Sequence, residues 1–128
     1  MEANKAILRF KDGSFVKGKI NSFSPNKKHF HLESLNGETV EIDLEQLKAI
    51  FFVEDFEGNK DREDIYNDII PGGGRKIQIK FFDGEVLSGY SQGYSTKRSG
   101  FFLIPANTQG NNKRIFVINS ATEKITSM

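Results

Sequence analysis

The sequence predicts an all-β protein made of two small five-stranded barrels related by duplication. Three observations carry this reading. The phrase FKDGSFVKGK at Phe10 returns as FFDGEVLSGY at Phe81. Apolar and polar residues alternate through runs of strand length, split by Asp-Gly and other turn signals. And a chain of 128 residues is one ordinary domain or two very small ones, whose half-size cores would be marginal alone and should lean on each other.

The match extends well beyond the opening phrase. Phe10, Asp12, Gly13 and Gly18 fall on Phe81, Asp83, Gly84 and Gly89; Phe30 and Leu32 fall on Phe101 and Leu103. After a three-residue insertion, Leu44 falls on Ile118 and Phe51 on Ile125. A long period occurring twice indicates a duplicated domain rather than a solenoid.

Each copy opens with a hairpin, because Asp-Gly sits between alternating apolar runs and glycine supplies the positive φ of the turn. The next strand contains a glycine, Gly18 or Gly89, a position that marks a sharp bend. HFHLES and TVEIDL follow in the first copy, split by LNGE. GFFLIP and KRIFVIN follow in the second, split by ANTQGNN. A one-turn segment (LEQLK, NSATE) then leads to a last short strand (AIFFV, KIT).

Four strands, one helical turn and a fifth strand is the order of a small SH3-like or Sm-like barrel. LRFKDGSFVKGKINSF also resembles the first motif of the Sm-like family, in its apolar, Asp-Gly, apolar, Gly, apolar order. The family's uridine-contacting Asn has no counterpart near Lys28 and His29. Asp43-Leu44 and Val117-Ile118 stand where its Arg-Gly pair would follow the fourth strand. The resemblance therefore implies the fold and not the family's RNA-binding activity. The second copy is similar to an uncharacterised bacterial domain with a Gly-Phe-Phe-Leu, Pro, Asn-Asn, Arg, Phe-Val signature, which implies a bacterial context and no particular activity.

The chain divides into a first barrel at 1–53, a linker at 54–74 and a second barrel at 75–128. The net charge of +1 is unevenly spread: eight Lys/Arg against seven Asp/Glu in the first part, two against seven in the linker, eight against three in the last. In the linker, DREDIYNDII places Ile65, Ile69 and Ile70 on one side of a short helix with acids early, where the helix dipole favours them. Pro71 and three glycines then end it in a flexible joint.

Composition excludes several functions. There are no cysteines, hence no disulfides and no thiolate zinc site, which fits a reducing cytoplasm. MEANKAILRF lacks the apolar run of a signal peptide, and no stretch approaches the roughly 18 apolar residues of a membrane span. GYSQG matches the serine-hydrolase pattern, but no helix signal follows Ser91 and both histidines precede it, so the expected reading is a bent strand. Counted from Asp55, Lys60 and Tyr66 occupy the glycine and glutamate positions of a calcium loop, so DFEGNKDRE reads as solvated acidic surface. PGGGRK lacks P-loop spacing. His29 and His31 share one strand face without a third ligand in sight, leaving Phe30 to the core. The expectation is a protein that is not an enzyme, with no cofactor and no metal.

Two features point to a partner. The pairs Phe51-Phe52, Phe81-Phe82 and Phe101-Phe102 each put one ring on either face of a strand, so one ring of each should point outward and be covered or bind. Packing of Phe51 or Phe52 against Phe81 or Phe82 should join the barrels, leaving Phe101-Phe102 as the contact to another chain. Second, Lys97, Arg98, Lys113 and Arg114 lie near Tyr94 in the basic second barrel, a set able to grip phosphate and stack bases; the acidic linker is their other natural partner. The favoured function is a cytoplasmic binding or scaffolding module contacting another protein or a second copy of itself, in a bacterial regulatory context. Nucleic-acid or nucleotide binding is the alternative.

Overall fold

A computed structural model of the chain describes residues 4–20, 23, 27–53, 75–91, 99–105 and 112–127. The linker 54–74, with its expected helix and glycine joint, lies outside the described residues. The strands are β1 (Asn4–Phe10), β2 (Phe15–Ile20), β3 (His29–Ser34), β4 (Thr39–Asp43), β5 (Leu47–Val53), β6 (Arg75–Phe81), β7 (Val86–Ser91), β8 (Gly100–Pro105), β9 (Asn112–Ile118) and β10 (Thr122–Ser127). One turn of 3₁₀ helix, Leu44–Gln46, precedes β5, and another, Asn119–Ala121, precedes β10. The protein is all-β, as its alternating runs predict.

The hairpins form where the turn chemistry directs. Between β1 and β2 the amide of Gly13 donates to the Phe10 carbonyl (3.1 Å) and the amide of Phe10 to the Ser14 carbonyl (2.9 Å). Gly13 sits at φ 93°, a conformation that side chains resist, and the Asp12 carboxylate accepts from the Ser14 amide at 2.8 Å. The β6–β7 hairpin repeats every part of this with Gly84 at φ 94° and Asp83 accepting from the Glu85 amide at 2.9 Å. Each hairpin tip then docks on the 3₁₀ turn of its own half: the amide of Lys11 donates to Gln46, and that of Phe82 to Ala121.

Gly18 and Gly89 mark close approach. A Cβ on Gly18 would strike the carbonyl of Glu33, and one on Gly89 the carbonyl of Ile104. At these points the second strand of each half crosses to the third, the paired residues among those described being Gly18↔Ser34 and Lys19↔Glu33, then Gly89↔Pro105 and Tyr90↔Ile104.

What the sequence reading divides into two barrels is one open antiparallel sheet of ten strands, ordered β10-β6-β7-β8-β9-β5-β1-β2-β3-β4. β5 pairs with β1 on one side and β9 on the other, with Ile50 opposite Phe116 and Phe51 opposite Ile115. A strand inside a sheet covered on both faces reads as an unbroken apolar run, and every residue of LKAIFFV is buried.

The joint strands feed two cores at once, because adjacent residues point to opposite faces. Ile50 and Phe52 enter a first core with Leu8, Ile20, Phe30, Leu32 and Leu44; Ala49, Phe51 and Val53 enter a second with Ile77, Ile79, Phe81, Phe101 and Leu103. β9 splits likewise: Phe116 and Ile118 go to the first core, Ile115 and Val117 to the second. Each buried Phe contributes roughly 1.5–3 kcal/mol, and the first core takes one of its largest rings from the far half of the chain. No helix among the described residues is long and apolar enough to cross a membrane.

Candidate functional site

The three Phe pairs behave differently, and the difference locates a surface. Phe51 and Phe52 are both buried: Phe52 fills the first core, and Phe51, on the other face of β5, is covered by the second. Phe101 enters the second core, and Phe102 turns to the first, half-buried, with its ring centroid 5.0 Å from Phe116. This pair, expected to be left for another chain, is mostly absorbed within the molecule. Only at the β6–β7 hairpin does a pair divide between core and solvent: Phe81 is fully buried while Phe82 is 70% exposed. Phe51 and Phe81 share the second core, although it is the β5–β9 pairing that joins the halves.

Phe82 stands beside a cluster bridging the two halves. Lys48, near the start of β5, has its side chain only 8% exposed. Its ammonium lies 2.7 Å from Asp83 Oδ2, also pairs with Glu85, and sits 4.8 Å from the centre of the Phe81 ring. A buried charge of this kind persists only when paired. Hydrogen bonding from Lys48 is the main reason that Asp83 titrates below its ordinary range; the Glu85 amide and the charges of Lys48 and Arg9 act in the same sense. Arg9 itself lies over the Phe51 ring at 5.3 Å. At the rim, Lys11 Nζ donates to Ser120 Oγ at 2.6 Å, and Ser120 Oγ donates to Glu45 at 3.2 Å.

Between these groups lies a cavity of about 110 Å³, lined by Lys11, Lys48, Phe81, Phe82, Asp83, Ser120 and Ala121. Phe81, Ala121 and Lys48 are buried at its floor, and the other four are exposed. Lys11 and Lys48 come from the first half and the rest from the second, so the cavity depends on the joint. The sequence reading missed it. Lys48 interrupts the most apolar stretch of the chain, and that interruption was the available signal.

The basic set is only partly visible. Tyr94, Lys97 and Arg98 lie outside the described residues, as does the side chain of Lys113. Arg114 is exposed, opposite Phe52 in the register. Its guanidinium lies 4.7 Å from the centre of the Phe52 ring and 4.6 Å from that of Phe102. Each such contact contributes about 0.5–1 kcal/mol at an exposed position.

Other motifs resolve structurally. Phe30 is buried, while His29 and His31 point outward, each 3.8 Å from a cross-strand carboxylate, Asp43 and Glu41. No group of three His, Asp or Glu among the described residues is placed to hold a metal ion. Ser91 is buried at the end of β7; the residues that would form the turn after it lie outside the described residues.

Residues 2–128 match a protein family described as a family of unknown function (DUF6982). No curated protein matches the chain, and no solved structure does.

Proposed function

The chain belongs to that family, and we propose that it is a non-catalytic binding module whose partner is another protein. The single observation behind this is Phe82, a large ring 70% exposed beside a cavity, in a molecule that otherwise absorbs its paired aromatics. Val86, on the same hairpin, is also an exposed apolar side chain, at 49%. Exposed aromatics of this kind anchor protein interfaces. Of the carboxylates at the cavity, Asp83 and Glu85 are committed to Lys48 and Glu45 accepts from Ser120, which argues against acid–base chemistry there.

We read the architecture behind this surface as two SH3/Sm-like units derived by duplication. The support is repetition: both halves run fifth strand, first, second, third, fourth across the sheet, with the same Asp-Gly turns and the same glycine crossings.

A photo-crosslinker replacing Val86 in the intact chain, in native cells, tests the reading. The expected result is a discrete protein adduct that disappears in a folded Phe82→Ser variant. Adducts unaffected by that substitution would overturn it.

The nucleic-acid reading keeps one observation in its favour: Arg114 is exposed, stacked on two aromatic rings, and forms no ion pair with a described residue. Retention of labelled RNA or DNA at low salt, where phosphate binding is strongest, with loss in Arg114→Ala, would support it over the protein reading.

A further inference from the structure

We infer that the cavity at the joint is an anchor pocket for a short peptide segment presenting one aliphatic side chain next to one carboxylate. This rests on the protein-binding reading and specifies the site and the chemistry of the partner.

Size sets the first limit. An apolar cavity of about 150 Å³ admits a benzene ring; about 110 Å³ suits a branched aliphatic side chain and is tight for an aromatic one. The floor is apolar where it matters, with Phe81 and Ala121 buried beneath the opening. Phe82 offers exposed apolar surface at the mouth, which fits a ligand continuing past the pocket, as a peptide does.

Charge sets the second. Lys48 reaches the floor already neutralised by Asp83 and Glu85, so it offers no net attraction to an anion. Lys11 at the rim is different. Its bonded partner there is the neutral hydroxyl of Ser120, which in turn donates to Glu45, and Lys11 itself forms no ion pair with a described residue. An ammonium carries three N–H donors, leaving capacity for an incoming carboxylate. Asp83, also on the rim and half-exposed, and Glu45, held by Ser120, repel a second acid. The pocket therefore favours one carboxylate, on the Lys11 side only, and disfavours the closely spaced phosphates of a nucleic acid.

The test is selection of random short peptides, displayed on phage, against the intact chain. Recovered sequences should pair Asp or Glu with Leu, Ile, Val or Met. Binding of the synthesised consensus peptide should fall at least tenfold in Phe82→Ser, and Lys11→Glu should turn the preference from acidic to basic neighbours. Both residues are exposed, so these variants keep the fold, as melting curves would verify; Arg114→Ala should bind as the wild type does. Peptides indifferent to Lys11→Glu and Phe82→Ser would overturn the pocket while leaving a protein-binding role elsewhere. Dimerisation through Phe82, seen by sedimentation as self-association abolished by Phe82→Ser, would assign the surface to a second copy and overturn the peptide. Recovery of no peptide, together with no protein adduct from the crosslinker at Val86, would remove both readings.

Discussion

Lys48 Nζ lies 2.7 Å from Asp83 Oδ2, tying the strand that closes the first half to the hairpin that opens the second. The ammonium is buried while Asp83 is half-exposed, so water weakens the attraction without abolishing it. Removing Lys48 would leave two carboxylates side by side, and Lys48→Ala is expected to cost about 1–2 kcal/mol of stability, less than for a fully buried pair. Urea denaturation measures this directly. The double variant Lys48→Met with Asp83→Asn should recover part of the loss.

The same pair sets a pH dependence. Because Asp83 titrates below its ordinary value of 3.8 in the folded protein, its contribution is complete above 3.8 and is lost as pH falls through the lowered value. Wild type and Asp83→Asn should therefore differ in melting temperature by a constant amount near neutral pH, and the difference should shrink in acid below 3.8. A difference that shrinks between neutral pH and 5 would assign the effect to some other group.

Gly84 and Gly89 are both glycines of the second half, but their replacement should fail for different reasons. Gly84→Ala forces a side chain into positive φ with open space around it and should cost about 1–2 kcal/mol. Gly89→Ala drives a methyl group into the Ile104 carbonyl and the Leu103 side chain, an overpacking that should cost about 2–3 kcal/mol. Thermal melts of the two variants, read against Gly13→Ala and Gly18→Ala, test whether the halves respond alike.

Phe116 belongs to the second half of the chain and is buried in the first core. Phe116→Ala is expected to lose about 3–5 kcal/mol. If the cores are one cooperative unit, calorimetry will give a single transition with equal calorimetric and van't Hoff enthalpies, in wild type and variant alike. Two separable transitions would contradict that.

The contrast between what the chain announces and what it conceals follows the range of the forces involved. Turns were legible because Asp12-Gly13 and Asp83-Gly84 act within four residues. Strand identity was legible from alternation; Gly18 and Gly89 were legible as special places in a strand, read as bends, while the carbonyls that approach them, Glu33 and Ile104, belong to partners the local sequence does not name. The β5–β9 pairing was not legible, since any strand edge offers the same backbone groups and nothing local names its neighbour. That one pairing decides the fate of the aromatic pairs: it buries Phe51 and Phe52 together and draws Phe102 inward, leaving Phe82 as the outward ring. The cavity escaped notice for the same reason, because Lys11 and Phe82 meet only after the joint has formed.

The joint also has a directional character. It couples unlike borders, β5 of one half and β9 of the other, and a union of unlike borders never uses up its own ends. Among the described residues one border of each kind is left, β10 at one extremity and β4 at the other. The side chains there disfavour such an extension. Where β5 carries Ala49, Ile50 and Phe52, the corresponding places in β10 hold Glu123, Lys124 and Thr126, and continuing the same register would set Glu123 against Asp43, a like-charge pairing that sheets resist. Placing Ala, Ile and Phe at those three positions should promote end-to-end growth into threads or rings, seen as a sedimentation rate that rises with concentration more steeply in the variant than in the wild type, so that three polar residues on one short strand would act as a brake on endless extension.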